Sequence, residues 1–531
     1  MRFLKTVEGL RCCLGIWRQS SVVDYPTIVA IGLVPTMGAL HPGHMSLIRR
    51  ARQENERVLV TIFVNPLQFG PGEDLDAYPR TLEKDLEKCQ AAGVDAVFCP
   101  LPHTLYQQTF PDSNTLTQVV PPAAMTAHLC GPYRLGHFAG VVTVVAKLFN
   151  LIQPNRAYFG RKDAQQLALI KRMVTDLNLS VTVVSCPTVR ESDGLAYSSR
   201  NQYLSEDQRR AAASLSQSLQ IARVAFEAGE QRGQVLIDLV MQALNRMPTI
   251  QVQYVQLVHP ETMQLLQQIK TVGLLAIAAH IGKTRLIDNI LLQSRRPIIA
   301  IDGPAGAGKS TVARIVADKL GLLYLDSGAM YRAITWHVLQ LGIDPQDAIA
   351  VAETLATCRI RLASEPGTNG QVGITRVWVN DQEVTQVIRS PEVTAQVSTV
   401  AAQAMVRQIL LEQQQAYGTD GGVVMEGRDI GTQVFPAAEL KIFLTASVQE
   451  RARRRQRDLA TQNHPTMSLE ALEKAIDERD RKDTTRSVAP LRQADDAIKI
   501  ITDGLSIDEV VAKIVSSYHD RLHERDRLDD N

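Results

Sequence analysis

At 531 residues the chain has room for about three or four units of roughly 100–200 residues, which excludes a single compact core. Hydrophobic residues make up 45% and charged residues 21%, too apolar a mix for a disordered chain, and 57 Lys and Arg against 56 Asp and Glu leave a formal charge of +1. No global field therefore draws the molecule to nucleic acid or an anionic membrane, and phosphate recognition has to be local. The seven cysteines (Cys12, Cys13, Cys89, Cys99, Cys130, Cys186 and Cys358) are odd in number and include no C-x-x-C pair, which points to a reduced compartment and no structural zinc. Lys5, Glu8 and Arg11 interrupt the apolar start, so no secretory signal is expected, and the longest apolar runs fall well short of the ~20 residues that cross a bilayer. The expected location is the cytoplasm.

Strand-like runs over 28–34, 58–64, 94–98 and 181–185 alternate with amphipathic stretches, the pattern of parallel βαβ units. Directly after the first comes Pro35-Thr36-Met37-Gly38-Ala39-Leu40-His41-Pro42-Gly43-His44, followed by a helical pattern over 45–52. Open α/β sheets bind ligands at the carboxyl ends of their strands. Two imidazoles there, with a helix N-terminus behind them, suit hydrogen bonding to an α-phosphate as attack builds charge on it, the chemistry of AMP transfer. A metal pair and a purely structural turn are the competing readings, although no third metal ligand is apparent nearby. Further on, Phe159-Gly160-Arg161-Lys162-Asp163 opens a helix over 163–177 with Gln166 on its first turn, and the segment 193–201 adds Ser198, Ser199 and Arg200. Lys162 and Arg200 offer phosphate charge, the serines offer hydroxyl contacts, and Asn65-Pro66-Leu67-Gln68-Phe69 offers a neutral amide for a hydroxyl or carboxylate substrate. A helical stretch over 206–247 and strand-like runs over 252–258 and 272–278 outline a smaller lobe.

These segments, in order, resemble the pantothenate synthetases (pantoate-beta-alanine ligases) of the HIGH-type nucleotidyltransferase superfamily over about residues 27–291, including Gly136-His137-Phe138 and Arg285-Leu286-Ile287-Asp288-Asn289. The resemblance implies a Rossmann-like nucleotide-binding part over about 1–190 and a small lobe over about 191–294. It implies an ATP site made by Met37, Gly38, Ala39, Leu40, His41, Pro42, Gly43 and His44, with His44 the proton donor to phosphate. Gly160, Arg161, Lys162, Asp163, Val189, Tyr197, Ser198, Ser199 and Arg200 complete that site. Gln68 and Gln166 are implied to bind pantoate, with Gln68 also near beta-alanine. Tyr197 departs from the family's usual Leu or Met, and Arg161 from a variable Glu or Gln. The implied reaction has pantoate attacking the ATP α-phosphorus, then beta-alanine displacing AMP from pantoyl adenylate. His41, His44, Lys162 and Mg²⁺ are implied to stabilise the first transition state, with residues 252–289 closing against water. Related ligases are commonly dimeric, so a homodimer through this part is implied.

The pattern restarts near Ser294-Arg295-Arg296-Pro297, which sets the expected boundary between 1–294 and 295–531. There Ile298-Ile299-Ala300-Ile301 runs into Gly303-Pro304-Ala305-Gly306-Ala307-Gly308-Lys309-Ser310 and a helical pattern over 311–320. This is G-x-x-x-x-G-K-[ST] between strand and helix: backbone N–H groups cradle phosphate, Lys309 reaches the β- and γ-phosphates, and the Ser310 hydroxyl ligates Mg²⁺. Gly303, Gly306, Gly308 and Thr311 belong to the same ATP-binding set. Later clusters are Asp326-Ser327-Gly328-Ala329-Met330-Tyr331-Arg332, Glu426-Gly427-Arg428-Asp429-Ile430-Gly431-Thr432, and the basic segments 451–457 and 478–486. Arginines from separate segments are the usual means of holding a phosphoryl donor and a phosphorylated acceptor in line. For 451–457, a solvated helix face and a nucleic-acid patch compete with a kinase lid. Glu426 is either an acid acting on Mg²⁺ through water or a cap of its turn.

With Ile388-Arg389-Ser390-Pro391-Glu392-Val393 and Ser487-Val488-Ala489-Pro490-Leu491, these clusters resemble bacterial cytidylate kinase over nearly all of 297–518. The resemblance implies a P-loop nucleoside monophosphate kinase domain that converts CMP or dCMP to the diphosphate. Ser327, Arg332, Ser398, Arg407, Arg428, Asp429, Arg479 and Arg486 are implied to line the acceptor site, Ser398 and Asp429 reading cytosine and sugar, the arginines taking phosphate. Residues 451–455 match the family's mobile lid, and Glu426 departs from the frequent Asp. The expectation is an α/β bifunctional enzyme with Mg²⁺ and ATP, pantoate, beta-alanine and CMP or dCMP as its small molecules, and no nucleic-acid or membrane partner. Rival readings change the carboxylate at the first site or put UMP at the second, or leave one half binding ATP without turnover.

Overall fold

The computed structural model describes residues 1–19, 29–70, 75–108, 115–294, 296–365, 374–461, 468–485 and 490–528. By its contacts the chain divides into two units, Met1–Ser294 and Arg295–Asn531. In the first, β1 (Arg2–Leu4), β2 (Ile31–Thr36), β3 (Arg57–Ile62), β4 (Ala96–Phe98), β5 (Arg156–Gly160) and β6 (Thr182–Cys186) form a parallel sheet in the order β1-β4-β3-β2-β5-β6. β2 and β3 are buried along almost their whole length, as strands covered by helices on both faces must be. The chain builds β3 and β4 on one side of β2 and then β5 and β6 on the other. The strand order therefore reverses between β2 and β5, and a crevice is expected at their carboxyl ends.

The strand expected over 28–34 lies at Ile31–Thr36, while Ile28 falls outside the described residues. β1 and β5 were not anticipated. β1 is a three-residue edge strand, and β5 (RAYFG) places Arg156 and Gly160 around only three buried residues, too short a run to stand out. The helix after the histidine motif starts at Pro42 rather than Met45, because proline fits the first helical position, where its missing N–H would be unpaired anyway.

The helical stretch expected over 206–247 is two helices, Glu206–Glu227 and Gly233–Leu244, with Gly229 between them at φ 103°. They pack on an antiparallel sheet of β7 (Ile250–Val258), β8 (Val272–Ile281) and β9 (Thr284–Gln293); β9 was not anticipated as a strand. The lobe is tied back by Arg190, whose guanidinium forks onto Asp288 at 2.6 and 3.0 Å. Arg190→Ala leaves Asp288, 3% exposed, with the Asn289 N–H at 2.8 Å. Removing one partner of such a buried pair costs about 3 kcal/mol or more. A fall of roughly 5–10 °C in the unfolding temperature of this unit is expected by calorimetry, with the second unit's transition unmoved.

In the second unit, β10 (Arg296–Asp302), β11 (Leu323–Asp326), β15 (Gly421–Gly427), β16 (Leu440–Thr445) and β17 (Ile498–Ile501) form a parallel sheet in the order β11-β15-β10-β16-β17. β12 (Ile360–Glu365), β13 (Ile374–Val379) and β14 (Gln382–Glu383) make a separate antiparallel sheet. β10 is central, and Ile298 to Ile301 are fully buried between helix layers. Among the described residues, no helix is long and apolar enough to cross a membrane.

Candidate active sites

The first site is built on the loop after β2. The Thr36 hydroxyl donates to the Thr61 carbonyl (2.7 Å) and accepts the Gly38 N–H (3.2 Å). Asp85, 1% exposed, accepts the Ala39 and Leu40 N–H groups at 2.9 and 2.8 Å, while Lys88 donates to the Leu40 carbonyl at 2.5 Å. This clasp holds Ala39 at φ 49° and aims the following helix at the crevice. His41 and His44 stack with ring centroids 3.9 Å apart, and the His41 N–H donates to His44 Nδ1 at 3.4 Å. That contact makes Nδ1 an acceptor and assigns the His44 proton to Nε2. Burial, reinforced by Lys162, pushes His41 down to about 4. Burial, with His41 and Lys162 adding, pushes His44 well below the usual imidazole range. Both shifts favour the neutral ring, the form that offers a hydrogen bond from His44 Nε2–H.

A cavity at the switch point brings Met37, His41, Gly43 and His44 together with Gly160, Lys162, Asp163 and Gln166 from the loop after β5. Val189 and Tyr197 to Arg200 close a third side, and Gln68 sits on the floor. Gly38, Ala39, Leu40 and Pro42 are not on the cavity wall, since that part of the loop is clasped by Asp85 and Lys88. Arg161 also departs from expectation: its Nε donates to Ser185 Oγ at 2.9 Å, away from the cavity. The Asn65 amide bonds to Gly140, Gln68 and Tyr106, and the Gln68 amide in turn donates to Met37 Sδ at 2.8 Å, so the two amides form one internal network at the cavity. Tyr197 lies in a stacked orientation 6.1 Å from His41. Asn289 on β9 donates to the Lys162 carbonyl at 2.8 Å, so the lobe helps shape the lysine loop. Sequence reasoning missed Asp85 and Arg134, and met His137 only inside a family match. Arg134 and His137 both reach the Gln68 carbonyl, at 3.4 and 2.7 Å, and line the cavity.

The second site starts at the glycine loop after β10. Gly303, Gly306 and Gly308 have φ of 150°, 77° and 85°. A Cβ on Gly303 would stand 1.9 Å from the Leu444 carbonyl oxygen, so only glycine fits. Lys309, 5% exposed, donates to the Pro304 carbonyl at 2.8 Å; burial and then Arg428 lower its ammonium to about 7. Ser310 and Thr311 lie exposed on the first turn of the helix Lys309–Leu320. Glu426 is buried at the end of β15, where the Tyr324 hydroxyl (2.7 Å) and the Ser310 hydroxyl bond to it; burial, then Asp326, raises its carboxyl. Its neighbour Ser327 donates to the Glu426 carbonyl (2.7 Å).

The residues expected to receive the acceptor are held as follows. Arg407 pairs with Asp429 at 2.5 Å, both nearly buried, and Arg428 pairs with Asp483 at 2.9 Å. Arg332 donates to Thr394 at 2.8 Å, and Ser398 lies one turn further along the same helix, Pro391–Ala401. Burial lowers Arg479, and the positive fields of Arg428, Arg332 and Arg455 lower it further, which marks a convergence of cations fit for phosphate. Arg486 lies outside the described residues. Of the expected lid arginines, Arg451 turns inward: its side chain is 4% exposed, bonded to the Ala305 carbonyl at 3.2 Å and paired with Asp480 at 2.6 Å. Arg454 is held by Thr502, leaving Arg453 and Arg455 exposed. Neither Asp302 nor Asp483 was singled out from the sequence.

Fold and sites together define an adenylate-forming ligase of the HIGH type followed by a P-loop nucleoside monophosphate kinase. Family models agree: pantoate-beta-alanine ligase matches residues 2–291 and cytidylate kinase residues 299–520. A bifunctional pantoate ligase/cytidylate kinase of Trichormus variabilis is 56% identical across 99% of this chain and 100% of its own length. One of Thermosynechococcus vestitus is 54% identical over 98% of both chains. Among solved structures, pantothenate synthetase from Thermus thermophilus is 43% identical, with a TM-score of 0.49, covering 55% of this chain and 99% of that one. The chain belongs to the bifunctional pantoate ligase/cytidylate kinase family. It is an enzyme with two ATP-dependent activities, joining pantoate to beta-alanine and phosphorylating cytidylate.

Proposed function

We propose that the first site forms pantoyl adenylate, releasing pyrophosphate, and that the amine of beta-alanine then displaces AMP to give pantothenate. The observation that carries this reading is the His41–His44 stack in a crevice that Lys162 also lines. His44 Nε2–H and Lys162 are placed to take charge developing at the α-phosphate. Gln68 and Gln166 orient pantoate, Val189 and Tyr197 flank adenine, and Ser198, Ser199 and Arg200 hold the leaving pyrophosphate. In the second site, Lys309 and the glycine loop hold ATP, and Arg332, Arg407, Arg428, Asp429, Arg479, Ser398 and Arg486 receive CMP or dCMP. The Ser310 hydroxyl and Glu426 carboxylate are oxygen donors within reach of each other, a set that suits Mg²⁺. When bound with ATP, Mg²⁺ supplies neutralising charge on the phosphates. The reading includes a cytoplasmic location and a homodimer through the first unit, where Val120 and Leu135 stand 74% and 83% exposed, apolar surface that a partner copy would cover.

Rapid mixing with ATP and pantoate alone is expected to release about one equivalent of pyrophosphate per ligase site, as adenylate accumulation requires. Heavy oxygen in the pantoate carboxylate is then expected in AMP once beta-alanine is added. Pyrophosphate release that waits for beta-alanine, or AMP without the label, would remove the adenylate step.

A further inference from the structure

Asp302 ends β10, one residue before the first glycine of the phosphate loop, and its side chain points across to the loop that follows β15. Its Oδ1 accepts the Ile430 N–H at 2.8 Å and its Oδ2 the Gly431 N–H at 2.7 Å. The residue is 5% exposed, so two charge-assisted bonds act on adjacent amides away from water. Residues Ile430–Val434 form a π-turn, a backbone form rarely used in regular helices. Gly431 permits the close approach, because a Cβ there would stand 3.2 Å from Oδ2. Directly ahead of the gripped amides are Arg428 and Asp429, each ion-paired across the acceptor site.

We propose that Asp302 is a positioning residue for the acceptor nucleotide, gripping the Ile430 and Gly431 amides so that Arg428 and Asp429 keep a fixed distance from the donor phosphates. The inference rests on the reading of Arg428 and Asp429 as acceptor contacts. Asp302→Asn keeps the shape but turns an NH₂ toward one of the two amides. The expected result is a rise of about tenfold in KM for CMP, the loss of roughly one hydrogen bond to a charged group, with KM for ATP within about twofold of wild type. Combined with Asp429→Asn, it should add little, since both act through one loop. Should the Asn variant fail to fold, Asp302→Glu keeps the charge while displacing the carboxylate, and the same split in KM is expected. A raised KM for ATP with an unaltered KM for CMP, or full additivity with Asp429→Asn, overturns the inference. Asp429→Asn alone separates the two ideas. An unchanged KM for CMP in that variant removes the acceptor role and this inference with it; a raised value beside an unaltered Asp302→Asn enzyme removes only the role of Asp302.

Discussion

His44→Ala is expected to lower pantothenate formation by about 10²–10³-fold in kcat, the usual loss when one preorganised donor to a developing oxyanion is removed. CMP phosphorylation should be unchanged in the same preparation, because the two activities reside in separate contact units. The size of the effect follows from the environment. The His44 ring is desolvated, stacked on His41, and held in the tautomer that presents Nε2–H, so no water molecule can reproduce its geometry. His41 at about 4 and His44 below its usual range also set a sign for pH. Both rings are already neutral at pH 7, so kcat/KM for the ligase should show no imidazole step near 6.5 and should fall only as acid approaches the lowered values. A step near 6.5 that disappears in His44→Ala would show the ring working as a cation.

Lys309→Ala is expected to do the reverse, lowering CMP phosphorylation by roughly 10²–10³-fold while leaving pantothenate synthesis intact, since a buried cation aimed at phosphate is lost. The lysine adds a distinctive pH dependence. Its ammonium is lowered to about 7 in the free protein by burial and Arg428, and phosphate charge raises it again on binding. Nucleotide binding at the kinase site should therefore take up a proton above neutrality. Apparent affinity should weaken by up to about tenfold per unit as pH rises past 7 and level off below it. Titration calorimetry in two buffers of different ionisation enthalpy, taking wild type minus Lys309→Ala, reads the proton directly. Equal heats in both buffers at about pH 8 would show that the lysine is already charged without nucleotide.

The chemistry of both sites was legible wherever it is carried by neighbouring residues in the chain. His41 and His44 flank a proline-glycine turn, and Lys309 and Ser310 close a glycine loop, so each motif carries its own geometry. The groups that hold these motifs in place were not legible. Asp85 reaches Ala39 and Leu40 from a helix far along the chain, and Asn289 reaches the lysine loop from the last strand of the unit. A lone acidic or amide side chain carries no periodicity to announce such a role. β5 was hidden for a related reason: an arginine and a glycine bound its short buried run, and only pairing with β2 and β6 makes it a strand. Within the run 451–457 nothing in the sequence separates one arginine from the next, whereas the fold buries Arg451 against the Ala305 carbonyl and Asp480.

The clasp between Asn289 and the lysine loop has a bearing on how the ligase pocket comes into being. Its histidine wall comes directly after the strand at Ile31–Thr36, at the start of the helix Pro42–Glu54, while the strand that braces the opposite wall, Thr284–Gln293, is nearly the last segment of that unit to be made. A nascent chain can pair the early strands long before the pocket has its final shape, and such distant contacts close slowly. ATP competence at the front half is therefore expected only late in that unit's assembly, when translation has already reached the kinase.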